Sequence, residues 1–282
     1  MDLTSPSVIK ELLKKNNSKP NKLLGQNFLI DKNILSKIVS AAEINSTDTI
    51  IEVGPGIGTL TQELAKNAEN IVAIEKDKKM IEILKETLNG LNNIHIIKGD
   101  ILRQDLSSFK NYSVVANIPY YLTSPLIRKL LESENQPKEI ILMIQKEMAQ
   151  RICAKPPRMS LLAVSVQYYA EPKIISYVSK NCFWPAPKID SAIIKIIPAR
   201  NALRSDAGGP APDLFFKIVK AGFSQPRKQL AGNLSKMLKL KKDQVDTWLL
   251  SNNIKPTQRA ETLFIADWQN LTNSFPQLTA SS

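Results

Sequence analysis

The chain has 282 residues, of which 43% are apolar, and carries 38 Lys and Arg against 26 Asp and Glu for a net charge of +12. That length and apolar content suffice for more than one average domain, while two cysteines, Cys153 and Cys182, without metal-type spacing, exclude a disulfide scaffold and indicate a reducing setting. The basic excess draws phosphate-rich partners and raises association rates, yet any soluble basic protein shares it, so it identifies no partner alone.

The stretch from Met1 to Lys19 is polar and has no signal-peptide core. No run approaches the roughly 18 apolar residues of a membrane span, so a soluble cytoplasmic protein is expected. A leading basic arm and helix come first. Thr49-Ile50-Ile51-Glu52-Val53 then predicts a short buried strand that ends in Gly54-Pro55-Gly56-Ile57-Gly58, and 59–67 takes helical spacing with Leu60 and Leu64 on one face. Strand, glycine turn and helix form the first unit of a doubly wound sheet, where glycines let a ligand approach the backbone beyond the strand ends.

The next apolar run, Ile71-Val72-Ala73-Ile74, ends in Glu75, whose carboxylate can accept two hydrogen bonds from ribose hydroxyls. A helix is predicted over 78–88, and the third run, 94–97, leads to Gly99-Asp100, an acid able to accept from an adenine amino group. The fourth, Val114-Val115-Ala116, is followed by Asn117-Ile118-Pro119-Tyr120. This turn suits one flat nitrogen base: the Asn carboxamide oxygen and a backbone carbonyl accept from an exocyclic amine while Tyr covers the ring face. By itself the tetrapeptide is also ordinary turn chemistry; the three strand tips upstream, converging on an adenosine, favour the pocket.

Further strands are predicted over 139–144, 173–178 and 192–197, with a helix over 125–134, an alternation that implies a mostly parallel sheet covered on both faces. Arg204 to Pro212, containing Gly208-Gly209-Pro210, has linker composition. Beyond it only helical patterns follow, over 214–222, 227–238, 243–250 and 262–271. The expected fold is α/β with a small C-terminal α-helical domain, divided as 1–205 and 206–282. From Asp213 to Ser282 ten Lys and Arg stand against five acids, a surplus that serves equally as a phosphate-contacting face or a solvated helical surface.

A nicotinamide-dependent dehydrogenase also uses glycines and an acid after the second strand. Its fingerprint is G-x-G-x-x-G, whereas here the spacing is G-x-G-x-G, and the single histidine, His95, lies inside a predicted strand. It reads as a strand side chain rather than a proton donor.

Taken in order, the glycine loop, Glu75, Asp100 and Asn117-Ile118-Pro119-Tyr120 resemble the S-adenosylmethionine-dependent adenine-N6 dimethyltransferases of ribosomal RNA. The likeness includes Gly25-Gln26-Asn27-Phe28-Leu29, similar to that family's N-terminal cofactor-covering motif. It continues through Tyr121-Leu122-Thr123-Ser124-Pro125, Gln145-Lys146-Glu147, Phe183-Trp184-Pro185-Ala186-Pro187-Lys188, Asp190-Ser191-Ala192 and Arg227-Lys228, from about Lys19 to about Leu271. The Tyr-Tyr-x-Thr-Ser-Pro and Phe-x-Pro-x-Pro segments resemble the KsgA (RsmA) branch, which modifies small-subunit rRNA; the Erm branch, which methylates 23S rRNA and confers macrolide resistance, is the close relative.

The resemblance implies a Rossmann-like class I methyltransferase sheet whose last strand, 192–197, is antiparallel, with S-adenosylmethionine as donor and no metal. It implies catalytic roles for Asn117, Tyr120 and Phe183, the last covering the second face of the base. Cofactor contacts are implied for Asn27, Leu29, Gly54, Glu75, Asp100 and Asn117. The implied partner is 16S rRNA in a 30S ribosomal subunit precursor, the protein acting as a monomer with its helical domain toward RNA. On residues alone Phe183 reads first as a core aromatic held by prolines, and a noncatalytic RNA-binding or assembly factor remains an alternative in which Asn117 and Tyr120 are dispensable. Between Lys155 and Gln167 the chain departs from the family with Pro156-Pro157-Arg158-Met159-Ser160-Leu161-Leu162, leaving the shape of that loop open.

Overall fold

The computed structural model describes residues 1–199 and 212–280, with side chains to residue 275. The linker-like segment after Arg204 and the expected cut at 205/206 lie outside the described residues up to residue 211. The Cα framework forms two compact units: residues 1–149 with 172–198, and residues 150–171 with 199–282. Residues 150–171, which sequence reading keeps with the sheet, therefore pack with the helices.

In the first unit, helix α1 (Pro6–Lys15) precedes the two-residue strand β1 (Phe28–Leu29). Helix α2 (Lys32–Ala41) starts where Asp31 accepts hydrogen bonds from Asn33 N–H and Ile34 N–H at 2.9 and 3.0 Å, a side-chain N-cap. Next come β2 (Thr49–Val53), α3 (Thr59–Leu64), β3 (Asn70–Glu75), α4 (Lys78–Thr87), β4 (Ile94–Lys98), β5 (Tyr112–Asn117), α5 (Thr123–Leu131) and β6 (Ile140–Gln145). Helix α6 (Lys146–Ile152) and α7 (Leu161–Tyr169) lead to β7 (Ala170–Val178), β8 (Phe183–Trp184) and β9 (Ser191–Pro198). The sheet order is β4-β3-β2-β5-β6-β9-β7.

The five strands β4, β3, β2, β5 and β6 are mutually parallel, and β9 runs antiparallel to β6 with Ser191 opposite Gln145. The class I methyltransferase sheet expected from the sequence is thus present, including the reversed strand at 191–198. Its central strands read as unbroken apolar runs because both faces are covered: Ile50, Ile51, Val114, Val115, Ile140 and Ile141 are all fully buried. Order reverses between β2 and β5, the crevice where ligands of open α/β sheets bind. On one side β1 and α2 supply Leu29, Ile34, Leu35 and Ile38 to a cluster with Ile50, Leu64, Val115 and Phe183. Leu3, Ile9, Leu12 and Leu13 of the N-terminal arm pack with Ile57, Met80 and Ile83, so that arm is a structural layer.

The second unit contains α7, α8 (Pro212–Gly222), α9 (Leu230–Leu238), α10 (Lys242–Ser251) and α11 (Ile265–Ala280). Tyr168 lies 4.2 Å from Phe215 between ring centroids, and buried Asn233 donates from Nδ2 to the carbonyls of Gly222 and Gln225, pinning the α8–α9 turn. The departing loop is closed by Gln167 Nε2, which donates to the Ile152 and Ala154 carbonyls, while Ser160 Oγ caps α7. Two predicted helix starts move. Residues 227–229 form a turn before α9 begins, with Lys228 N–H on the Gln225 carbonyl; α11 begins at Ile265 because Asp267 Oδ2 takes the Phe264 N–H at 2.7 Å. Among the described residues no helix is long and apolar enough to cross a membrane.

Candidate active site

The carboxyl ends of β2, β3 and β5 open into a cavity of about 240 Å³, and its walls include all eight residues singled out from sequence: Asn27, Leu29, Gly54, Glu75, Asp100, Asn117, Tyr120 and Phe183. His95 is not among the lining residues; it is exposed on β4.

Glu75 ends β3 with its carboxylate already held. Oε1 accepts from Lys76 N–H and Asp77 N–H, both at 2.8 Å, and Oε2 accepts from Gly56 N–H at 3.1 Å. Burial pushes its pKa up, while those three backbone donors pull it down. Four lone-pair sites against three internal donors leave acceptor capacity for a hydroxyl. Gly56 presents its N–H there with a φ of +61°, a conformation that favours glycine, and an added Cβ would stand 3.4 Å from the Phe28 ring.

Asp100 is differently placed. Oδ1 accepts from Leu102 N–H at 3.0 Å and Oδ2 from Lys76 Nζ at 2.8 Å, and the lysine holds its carboxyl below the usual range. An adenine amine must share or displace Lys76. The lysine side chain is 59% exposed, so the pair is weak and exchange costs little.

Asn117 closes β5. Its Nδ2 donates to the Asn27 backbone carbonyl at 3.3 Å; a carbonyl can only accept, so the amide nitrogen is committed there and Oδ1 is the group left to accept from a ligand. Asn27 in turn donates from Nδ2 to the Gly25 carbonyl at 3.0 Å. Gly25, with φ +63°, brings its backbone against Pro119, where a Cβ would come within 3.1 Å. Gln26 Nε2 donates to Asp77 Oδ2 at 2.9 Å while Asp77 Oδ1 caps α4, so the N-terminal loop is tied to the tips of both β3 and β5.

The Pro119 carbonyl accepts from Leu122 N–H at 2.9 Å, closing the turn. Tyr120 Oη lies 2.9 Å from Ser191 Oγ, an approach made possible because antiparallel β9 starts beside the end of β6. Burial raises the phenol pKa. Phe183 lines the cavity, but only 4% of it is exposed and it belongs to the cluster beneath β1, paired in register with Leu29. Its ring thus forms a wall and part of the core at once. Phe183→Ala is therefore expected to cost about 3–5 kcal/mol of stability, most of it restored by Phe183→Leu. If the ring also stacks a base, both variants lose turnover roughly tenfold with donor affinity little changed; calorimetry beside kinetics checks this, and equal loss in both would assign packing alone.

Sequence reasoning gave Glu52 no role, although an acid within Ile50-Ile51-Glu52-Val53 interrupts an otherwise apolar strand. It lines the same cavity and is 1% exposed. Burial, reinforced by the Glu75 charge and opposed by the Thr61 hydroxyl, pushes its pKa up to about 8. The Lys76–Asp100 pair and the Asn27–Asn117 bond likewise had no local signal.

Residues 17–277 match the family model for ribosomal RNA adenine dimethylase. The chain is 42% identical over 280 residues to ribosomal RNA small subunit methyltransferase A of Clostridioides difficile (strain 630), covering 96% of each protein. It is 40% identical over 275 residues to the protein of that name in Dehalococcoides mccartyi (strain CBDB1), covering 95% of this chain and 94% of the other. Among solved structures, a dimethyladenosine transferase from Plasmodium falciparum superposes with a TM-score of 0.75 at 28% identity, covering 89% of this chain and 98% of that one. The 23S rRNA methyltransferase ErmE gives 0.74 at 26%, covering 89% and 100%. The fold is shared by both branches; identity of about 40% lies with the small-subunit enzymes.

Proposed function

Because the chain belongs to the ribosomal RNA adenine dimethylase family, we propose that it transfers methyl groups from S-adenosylmethionine to the N6 amino groups of two adjacent adenosines in the 3′-terminal hairpin of 16S rRNA, acting as a cytoplasmic monomer on the immature 30S subunit. The observation that carries the reading is the orientation of Asn117, whose amide oxygen is freed toward the cavity by the Asn27 carbonyl.

The residues present fit such a donor. Glu75 keeps acceptor capacity for a ribose hydroxyl, and a Cβ added at Gly54 would meet nothing within 4 Å, leaving open space above the glycine loop. Asn27, Leu29, Gly54, Glu75, Asp100 and Asn117 would hold the donor, with Asp100 facing the adenine amine. The bound sulfonium supplies an already activated methyl group. Adenine N6 is a poor nucleophile because its lone pair is delocalised into the ring. Asn117 Oδ1 and the Ile118 carbonyl, the Pro119 carbonyl being committed to the turn, accept both N6 hydrogens, orient the amine and localise that pair. Neither a strong base nor a metal enters the scheme. Flipping the base out costs a few kcal/mol, offset by stacking between Tyr120, braced by Ser191, and Phe183.

Incubation of the protein with labelled S-adenosylmethionine and unmethylated 30S particles, 50S particles or free RNA, followed by nucleoside mass spectrometry, tests the reading. Label in N6,N6-dimethyladenosine from 30S supports it; label confined to 50S assigns the 23S branch.

In the helical unit Arg227, Lys228, Lys236 and Arg259 line one open cleft together with neutral side chains, a face suited to backbone phosphates. Replacing Arg227 and Lys228 by Gln is expected to weaken RNA binding uniformly across sequences. The slope of log K against log salt should fall by about 1 for each phosphate no longer neutralised, read by filter binding at several salt concentrations.

A further inference from the structure

Gln145-Lys146-Glu147 takes no part in the chemistry above, although it stands beside the pocket. Gln145 ends β6 opposite Ser191, the first residue of β9, and Ser191 Oγ reaches Tyr120 Oη at 2.9 Å. Lys146 N–H donates to the Asp190 carbonyl at 3.0 Å, and Lys180 N–H donates to Asp190 Oδ1 at 3.1 Å. The end of β6, the loop after β7 and the start of β9 are thereby drawn together next to the base-covering tyrosine.

Tyr177 belongs to this rim. It precedes the last residue of β7, the edge strand of the sheet, and is 51% exposed. A single exposed tyrosine is ordinary on a protein surface. What sets this one apart is Lys146, whose Nζ lies 5.2 Å from the ring centroid, a cation over an aromatic face. Lys180, just past β7, and Lys188, just before β9, are both exposed, and none of these three lysines forms an ion pair among the described residues. The acids at hand are Glu147 and Asp190, and Asp190 already has one oxygen on the Lys180 N–H.

Taking one adenosine out of its stack strips the neighbouring base of a stacking partner. A half-exposed aromatic ring flanked by cations suits such an unpaired nucleotide: the ring takes the base and the ammonium groups take the phosphate. We propose that Tyr177, with Lys146, Lys180 and Lys188, forms a second stacking platform, which holds an unpaired base of the RNA flanking the target adenosine while that adenosine occupies the pocket. The inference rests on the adenosine reading of the pocket.

Steady-state methyl transfer to unmethylated 30S particles tests the platform, read beside calorimetric donor binding, thermal unfolding and ultraviolet cross-linking of the protein to the particle mapped by mass spectrometry. Tyr177→Ala should raise KM for the particles roughly tenfold and leave kcat and the donor dissociation constant as they are, since a contact made alike in ground and transition states acts on KM alone. Tyr177→Phe, which keeps the ring, should restore KM. Replacing Lys180 and Lys188 by Gln should flatten the slope of log K for particle binding against log salt by about 0.7 for each phosphate no longer neutralised. In the wild type, Tyr177 should cross-link to a nucleotide. An unchanged KM in Tyr177→Ala overturns the proposal and leaves the pocket assignment standing. Cross-linking of Tyr177 to a ribosomal protein overturns it too, since the ring then serves a protein contact, as does a KM raised equally by Tyr177→Phe, since the ring is then not what binds. Absence of methyl transfer by the wild type, to particles or to free rRNA, removes the proposed function beneath it, which no result at Tyr177 can do.

Discussion

Asn117→Ala is expected to lower the rate of methyl transfer by about 10²–10³-fold, the effect of removing one preorganised group that acts where charge develops. The amide oxygen is freed toward the cavity because its nitrogen is engaged by the Asn27 carbonyl, so truncation removes the acceptor without disturbing the strand. The folding cost should be small, about 1 kcal/mol, since one long side-chain hydrogen bond at the end of β5 is lost. Asn117→Asp is the sharper variant. It keeps the size, but a carboxylate cannot donate to the Asn27 carbonyl, so two acceptors would face each other where one bond now holds the N-terminal loop. Rates should fall at least as far as in the alanine variant, and the loop should loosen. Single-turnover transfer to 30S particles reads the rate, and thermal unfolding reads the fold. An alanine variant working within tenfold of wild type would remove Asn117 from the task of gripping the amine.

Much of this geometry is legible in the amino-acid order because parallel strands buried on both faces leave a plain trace. Runs such as Ile71-Val72-Ala73-Ile74 and Val114-Val115-Ala116 begin and end within two residues of the ends of β3 and β5. Each stops at a polar residue, Glu75 or Asn117, that the sheet order then carries to the same crevice. Interactions between distant segments leave no such trace. The pairing of Leu29 with Phe183 joins two-residue strands more than 150 positions apart, and nothing in either dipeptide announces it. The same holds for Lys76 on Asp100: an acid free to read an amine, judged from its position after β4, is in fact already engaged by a lysine. Phe183 shows a third difficulty. An aromatic followed by prolines looks the same in sequence whether it stacks a base or fills a core, and in the folded chain its ring belongs to the apolar cluster under β1 while bordering the cavity.

Glu75→Ala should raise the donor dissociation constant by about 10- to 100-fold, because a hydroxyl bond to a charged acceptor contributes about 1.5–3 kcal/mol and part of that is recovered by water. The carboxylate also serves the fold. Its removal orphans the N–H groups of Lys76, Asp77 and Gly56, and the last of these links the tip of β3 to the glycine loop, so the loop should lose order as well as a ligand-binding group. Glu75→Gln divides the two roles: the amide oxygen can still accept from Lys76 and Asp77, but the amide nitrogen then meets the Gly56 N–H, donor against donor. It should bind the donor better than the alanine variant and worse than wild type. The pH dependence carries a definite sign. Burial raises the Glu75 pKa in the folded chain, so the folded state holds the proton longer than the unfolded one, and the stability this residue confers is greatest below the ordinary glutamate range and is lost as pH rises through the folded value. Donor affinity runs the other way, since only the ionised carboxyl offers all its lone pairs. Urea unfolding of the ligand-free wild type and of Glu75→Ala, compared as pH rises above the ordinary glutamate range, should show the wild type losing stability relative to the variant. Calorimetry of the same pair should show the wild type's advantage in donor affinity growing as pH rises; an alanine variant with an unchanged dissociation constant would remove Glu75 from the ribose and leave it only the task of holding the glycine loop.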